Sequence, residues 1–325
     1  WWIVLGRTAL CVSIVLSLLL HFLHAISRPP DFDEHIHLHY LWMTAQGLLP
    51  DRDFLSPYPS APFLVFAPLF SHLPERPMVF LVLRFMSLVP LAFCMGAVAF
   101  TALSLKRDPW LALGLVMLFN CSGEIPAGME VRFDIVAWSA ALGAFALLIA
   151  APGRLGAGLA AALAVFSLFI SPKHLVFLGG FALGYGVDLL LRDRRELARQ
   201  AVAALVGAGL VLAWLTYLHP STIPDSIRLS LMNYRSQQGA VFPESLLVSL
   251  LFLGLRDPVV TSVLWVAPVL FLRYAVHYPM RIRLLYGGAL AGGLVTILMM
   301  PCGWSQYMSL ALVLFWLFIP WMTPP

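Results

Sequence analysis

Apolar residues occupy this chain in long blocks, separated by short polar breaks. The blocks lie near 8–27, 78–105, 109–124, 134–151, 156–172, 174–191, 201–218, 258–276, 284–301 and 304–321. A helix crosses ~30 Å of hydrocarbon with roughly 20 apolar residues, so the pattern predicts about ten transmembrane helices. No strand-like alternation interrupts them, and lipid offers no partner to an open peptide group, so helix is the expected backbone throughout. Two further apolar stretches, 61–73 and 243–255, are too short to cross and are expected at the membrane interface. The fold class expected is therefore an all-α polytopic membrane protein. It forms one domain over 1–325, with a long helical first outer loop at 28–77.

Composition agrees with that reading. Of 325 residues, 61% are apolar and 11% charged, and the mean hydropathy is +0.88. Soluble domains run nearer one half apolar and a quarter charged. An excess of this size cannot be hidden in a core, which excludes a soluble enzyme, a nucleic-acid binder and a disordered tail. Four cysteines form no CxxC pair and no disulfide framework. The run Ala25-Ile26-Ser27 faintly resembles a signal-peptidase site, but the block before it is long enough to span, and an uncleaved first helix is expected.

Charge divides the loops between two sides. One side carries Arg7, Lys106, Arg107, Arg154, Arg192, Arg194, Arg195, Arg199, Arg273, Arg281 and Arg283 against four acids, a net of +7. The other carries nine bases against twelve acids, a net of −3, and the two together make the overall +4. Positive loops stay inside, so both termini are expected in the cytoplasm, as an even number of spans requires.

The chemistry gathers in the outer loops. Residues 33–46 read as a short helix, with Asp33 near its N-cap, Asp33 and Glu34 in its first turn, and Gly47 and Pro50 ending it. The plain alternative is a capped interfacial helix with a solvated acidic start. His35 and His39 share a face at i, i+4, which supplies two histidines and a carboxylate at best, without HExxH spacing. They are candidate ligands for a divalent cation, the one cofactor left open; otherwise they are neutral rings at a wet interface. The second outer loop holds Arg132-Phe133-Asp134 where a span begins, a costly place for charge unless it is paired or faces a polar cavity. Ser171-Pro172-Lys173-His174 marks the turn between the fifth and sixth spans. Lys173 either snorkels to the headgroups or binds a lipid phosphate.

These segments together resemble the C-type (GT-C) glycosyltransferases, and within them the protein mannosyltransferase and lipid A aminoarabinose transferase groups. Asp33-Glu34 opening a helix resembles the acidic pair of that superfamily. Gly47-Leu48-Leu49-Pro50-Asp51-Arg52-Asp53-Phe54 is similar to its G-x-x-P-Y-R-D-F segment, with Asp51 in place of tyrosine. Arg132-Phe133-Asp134 resembles its R-P-D, with phenylalanine for proline; Ser171-Pro172-Lys173 resembles its T-Q-K. Gln306-Tyr307 after Pro301 resembles its P-x-Q-Y, and Leu83-Arg84-Phe85 its L-R-L. The matches run from about residue 30 to 310, in order and on one side of the membrane. The soluble outer domain that many members carry is not among these residues, so the acceptor does not follow from the resemblance.

The resemblance implies transfer of a sugar, with inversion, from a polyprenyl-phosphate donor to a glycan, lipid or protein acceptor at the outer face of a bacterial plasma membrane. Asp33 is then the expected base, with Glu34 and Asp134 positioning groups around it. Lys173 and Arg132, with His174 and Arg235 beside them, would supply countercharge to the donor phosphate. Arg52, Asp53 and Tyr307 would position substrate. No nucleic-acid partner is expected. Two other classes stay open: a polytopic transporter and a non-catalytic membrane subunit. The clustering of ionisable residues in outer loops and the absence of repeated halves weigh against the transporter. A subunit would leave Asp33 and Asp134 apart, whereas an enzyme needs them to converge.

Overall fold

The computed structural model describes residues 2–56, 58–72, 78–105, 108–120, 133–228, 269, 271–273 and 275–299. Within them the regular structure is helical: α1 (Trp2–Ser27), α2 (Phe32–Ala45), α3 (Ser60–Phe70), α4 (Val79–Met86), α5 (Leu88–Ser104), α6 (Pro109–Asn120), α7 (Asp134–Ala150), α8 (Arg154–Ile170), α9 (Leu175–Arg192), α10 (Arg194–Leu218) and α11 (Met280–Met299). Among the described residues the one strand-like feature is an isolated bridge between Pro50 and Phe54. Four helical stretches there are long and apolar enough to cross a membrane: Ile3–Ser27, Val79–Ser104, Leu175–Arg192 and Arg194–Leu218. Their outer faces carry exposed Leu20, Phe93, Leu183 and Leu205. Water would penalise such a surface and hydrocarbon does not, which marks a membrane protein.

Several element boundaries differ from those the hydropathy predicts, each for a local reason. The 78–105 block is interrupted at Ser87. Pro90 has no N–H for the Met86 carbonyl, and the Ser87 hydroxyl back-bonds to the Leu83 carbonyl at 3.1 Å, two features that break or bend a helix. The helix expected at 201–218 starts at Arg194, because the Asp193 carboxylate caps it by accepting the Arg195 and Glu196 N–H groups. Polar residues on that first turn and a half hide it from an apolar scan. Likewise α11 begins at Met280, four residues before the 284–301 block. The 61–73 stretch forms the short α3. Of 258–276 only the last residues are described, and 243–255 and 304–321 lie outside the described residues.

The bundle has two chemically distinct ends. At one, the Arg7 guanidinium lies over the Trp110 ring, 4.7 Å from its centroid, and Arg192 pairs with the wholly buried Asp188. There too Arg281 donates to the Leu148 carbonyl at the end of α7. At the other end sit the close of α1, α2 and α3, the start of α7, and the turn between α8 and α9. α7 and α8 run in opposite directions, so that the Ser167 hydroxyl near the end of α8 donates to the Ala137 carbonyl near the start of α7.

Among the described residues the larger apolar core joins α5 to α9 with α11 around Phe145, Phe177, Phe181 and Tyr286, and a smaller one joins Ala61 of α3, Phe169 of α8 and Leu215 of α10. Close backbone approach at two seams holds them together. A Cβ on Gly180 of α9 would collide with the Gly288 carbonyl of α11, and one on Gly207 of α10 with the Gly158 carbonyl of α8. Small residues let helices approach where lipid supplies no hydrophobic drive to associate. Gly158, Gly180, Gly207 and Gly288 are thus packing positions.

Candidate functional site

The site is built on α2, and α2 is fixed at both ends by its own sequence. At its start the Asp31 carboxylate accepts the Glu34 N–H at 2.7 Å, and Glu34 accepts the Asp31 N–H in return at 3.2 Å. This reciprocal capping box puts the cap at Asp31, two residues before the acid the sequence places near the cap. At its close, Gly47 N–H bonds to the Thr44 carbonyl and Leu48 N–H to the Met43 carbonyl. That Schellman arrangement needs a left-handed residue, and Gly47 has φ +86°.

With Asp31 as cap, the acidic pair divides. Glu34 turns inward and is fully buried, where the Arg84 guanidinium of α4 donates through Nε to Oε1 at 2.9 Å and through a second nitrogen to Oε2. The same guanidinium reaches the carbonyls of Ala25 and Arg28 at the end of α1. Glu34 thereby joins three elements, and its oxygens face protein. Asp33 turns the other way and is half-buried, with the Tyr58 hydroxyl donating to Oδ1 at 3.3 Å.

His37, which helical spacing sets on a different face from His35 and His39, is the histidine of the three that the structure buries. It is buried one turn after Asp33, with its ring 4.4 Å from that of Tyr58 and edge-on to Phe133 at 5.3 Å. Phe133 packs in turn on Phe63 and stacks on Phe66 of α3. The next residue is Asp134, first of α7, which accepts a hydrogen bond from Ser171 at 2.9 Å. Ser171 leads into the 3-10 turn Pro172–His174, where the buried His174 Nδ1 lies 2.9 Å from the Ser167 hydroxyl. Contacts therefore run unbroken from Asp33 through Tyr58, His37 and Phe133 to Asp134 and the turn that bears Lys173.

The other expected residues sit as follows. Arg52 and Asp53 form an exposed ion pair at 2.7 Å, and Asp53 also accepts the Leu49 N–H. The Arg52 fork, helped by that N–H, holds the Asp53 carboxyl below the usual carboxylate range. Asp51, between Pro50 and Arg52, has φ +64° and donates its N–H to the Phe54 carbonyl. Burial pushes its carboxyl up, opposed by the Ser56 N–H and reinforced by Asp225. His35 packs edge-on to Phe80 and His39 stacks on Trp42, both exposed. Among the described residues, no three His, Cys, Asp or Glu side chains gather as a metal site would need. Arg132, Arg235 and Tyr307 lie outside the described residues, as does the Lys173 side chain.

No family model, curated relative or solved structure matches the chain.

Chemically, the end of the bundle holds a half-buried carboxylate on a helix capped at both ends. A second carboxylate heads α7 beside a turn rich in hydrogen-bonding groups. Aromatic rings fix the distance between the two. A group held this way loses little freedom on binding a ligand, which is the condition for a positioned base.

Proposed function

We propose that this protein is a membrane glycosyltransferase of the GT-C type, which moves a sugar from a polyprenyl-phosphate donor to an acceptor at the outer membrane face, inverting the anomeric carbon. The observation that carries the reading is the contact chain from Asp33 to Asp134 and the Ser171–His174 turn. It gathers three loops far apart in sequence at one end of the bundle, and the subunit alternative would leave them apart. In this reading there are ten spans and both termini are cytoplasmic in a bacterial plasma membrane. The arginines at the end opposite Asp33 support that orientation.

The step needs few groups. As the anomeric carbon–phosphate oxygen bond breaks, the phosphate leaves with the electron pair. The acceptor oxygen bonds to the same carbon from the opposite face, and its proton passes to Asp33. Phosphate is a good leaving group and needs countercharge, for which Lys173, Arg132, His174 and Arg235 are the candidates. Asp134 orients groups from the head of α7. Glu34, engaged by Arg84 and Asp31, holds α2 in place so that Asp33 faces the site; this is a positioning role.

The test is mass spectrometry of surface glycans and glycolipids from cells expressing wild type or Asp33→Asn at matched levels. A sugar present with wild type and absent with the variant supports the reading, and its mass identifies the sugar and the acceptor. A sugar retained in the variant removes Asp33 as the base. Identical profiles without any wild-type-dependent sugar count against a transferase.

A further inference from the structure

The end of the bundle opposite Asp33 carries cations that its own acids do not neutralise. Among the described residues there, Asp188 is held by Arg192, whose Nε donates to it at 2.8 Å. Asp193 accepts the first N–H groups of α10, and Asp108 accepts the Trp110 N–H at 2.8 Å. Glu196 accepts from the Gln200 amide at 2.9 Å and pairs with Arg199 at 3.7 Å. Each acid is engaged close to home. The first turn of α11 holds no acid and carries two arginines instead, Arg281 and Arg283.

Neither guanidinium finds a carboxylate among the described residues. α9 and α11 run antiparallel, with Gly180 against Gly288 and Gly184 against Leu284, so the first turn of α11 lies level with the end of α9. From there Arg281 crosses to the end of α7, where one nitrogen donates to the Leu148 carbonyl and, at 3.4 Å, to that of Ile149. Its guanidinium lies 5.8 Å from the Tyr185 ring centroid. The rest of its planar fork is left to bind an outside acceptor. Arg283 is the sharper case: its Nε is buried and has no hydrogen-bond partner among the described residues. Buried donors of a charged group nearly always have one, so an acceptor is missing at this turn.

The surroundings name the kind of acceptor. Leu155 at the start of α8, Leu191 at the end of α9, and Val276 and Met280 leading into α11 border this end, with exposures of 77%, 65%, 66% and 47%. A small soluble anion gains nothing from such a border. A phospholipid satisfies both parts, with two non-bridging phosphate oxygens for the guanidiniums and acyl chains for the apolar rim. We propose that the first turn of α11, with the ends of α7 and α9, binds the phosphodiester headgroup of an anionic glycerophospholipid from the leaflet at this end of the bundle. Arg281 and Arg283 supply the countercharge. Arginine suits the task because its fork matches two phosphate oxygens at once.

The experiment is native mass spectrometry of the full chain in dodecyl maltoside, titrated with dioleoyl phosphatidylglycerol or dioleoyl phosphatidylcholine. It reads lipid binding without sugar transfer and so stands apart from the transferase reading. The first phosphatidylglycerol is expected to bind about ten-fold more tightly than the first phosphatidylcholine. Arg281→Gln and Arg283→Gln should each weaken phosphatidylglycerol by about ten-fold, the loss of one charge-assisted hydrogen bond, and leave phosphatidylcholine unchanged. Arg194→Gln, on the exposed first turn of α10, should change neither. Unfolding temperatures without added lipid report whether the variants fold. Should Arg281→Gln unfold through loss of its bonds to α7, Arg283→Gln carries the test. Equal affinity for the two lipids, an equal loss in Arg194→Gln, or unchanged binding in folded Arg283→Gln would overturn the assignment. So would displacement of phosphatidylglycerol by inorganic phosphate at equal concentration, which would give the site to a soluble anion.

Discussion

Arg84 lies in a fork across the Glu34 carboxylate, fifty residues away in sequence, and neither side chain reaches solvent. Two buried charges are costly to desolvate, and their mutual attraction offsets that cost only while both are present. Removing one leaves the other stranded. Arg84→Met or Glu34→Gln is expected to destabilise the protein by about 3–5 kcal/mol. The double replacement Arg84→Met with Glu34→Met should lose less than the sum of the singles. Thermal unfolding in detergent checks this; strictly additive losses would mean that the pair is not coupled.

Tyr58→Phe keeps the ring against His37 and deletes the hydroxyl that Asp33 accepts. One partly exposed hydrogen bond contributes roughly 1 kcal/mol. Sugar transfer should therefore fall by about five-fold, with little change in unfolding temperature. His37→Ala removes ring contacts on both sides and is expected to cost both activity and stability. Equal effects of the two variants would argue against separate roles.

Ser171→Ala removes the hydroxyl that Asp134 accepts and leaves the Ser171 backbone in place. Transfer should drop by up to about ten-fold, given a net hydrogen bond to a charged group of roughly 1.5 kcal/mol. Ser171→Thr, which keeps a hydroxyl, should restore most of it. A glycan assay on the two variants decides; an inactive threonine variant would point to a steric role instead.

Asp51 gives a pH signature. Burial raises its carboxyl above the ordinary range, so the native state takes up a proton more readily than the unfolded chain does. The charged form therefore weakens the fold at neutral pH, and this penalty fades as pH falls through the raised native value towards about 3.9. Asp51→Asn tolerates the left-handed backbone and should stabilise the protein at pH 7. The gain should vanish near pH 4. A gain of equal size at both pH values would show that charge at Asp51 is not the cause.

The glycine seams separate by position. Gly180→Ala collides with the Gly288 carbonyl and should lower the unfolding temperature sharply, while Gly186→Ala on the same helix meets open space and should be neutral or better. Similar behaviour of both variants would mean that α9 and α11 do not pack as closely as described.

Much of this architecture is legible in the residues taken in order. The apolar blocks mark the helices, the turn at Gly47 and Pro50 closes α2, and Ser171–His174 forms a tight turn between two helices. Each is a local property: a run of apolar side chains, a residue that accepts positive φ, a proline that cannot donate. The exact starts of α10 and α11 were hidden because polar residues can extend a helix beyond its apolar stretch.

What the sequence determined by itself, then, is that the chain is helical and seeks lipid, and where its charged loops fall. Which loop residues meet was decided only by the tertiary structure. Asp33 and Glu34 are adjacent acids in sequence, yet one faces Tyr58 and the other is sealed against Arg84; His37 is one of three similar histidines, yet it alone is buried between rings. The physical reason is that helices bound for lipid are apolar on every face. Their pattern therefore names the solvent and not the neighbour, and the pairing is settled by close packing at glycines and by buried polar groups finding partners.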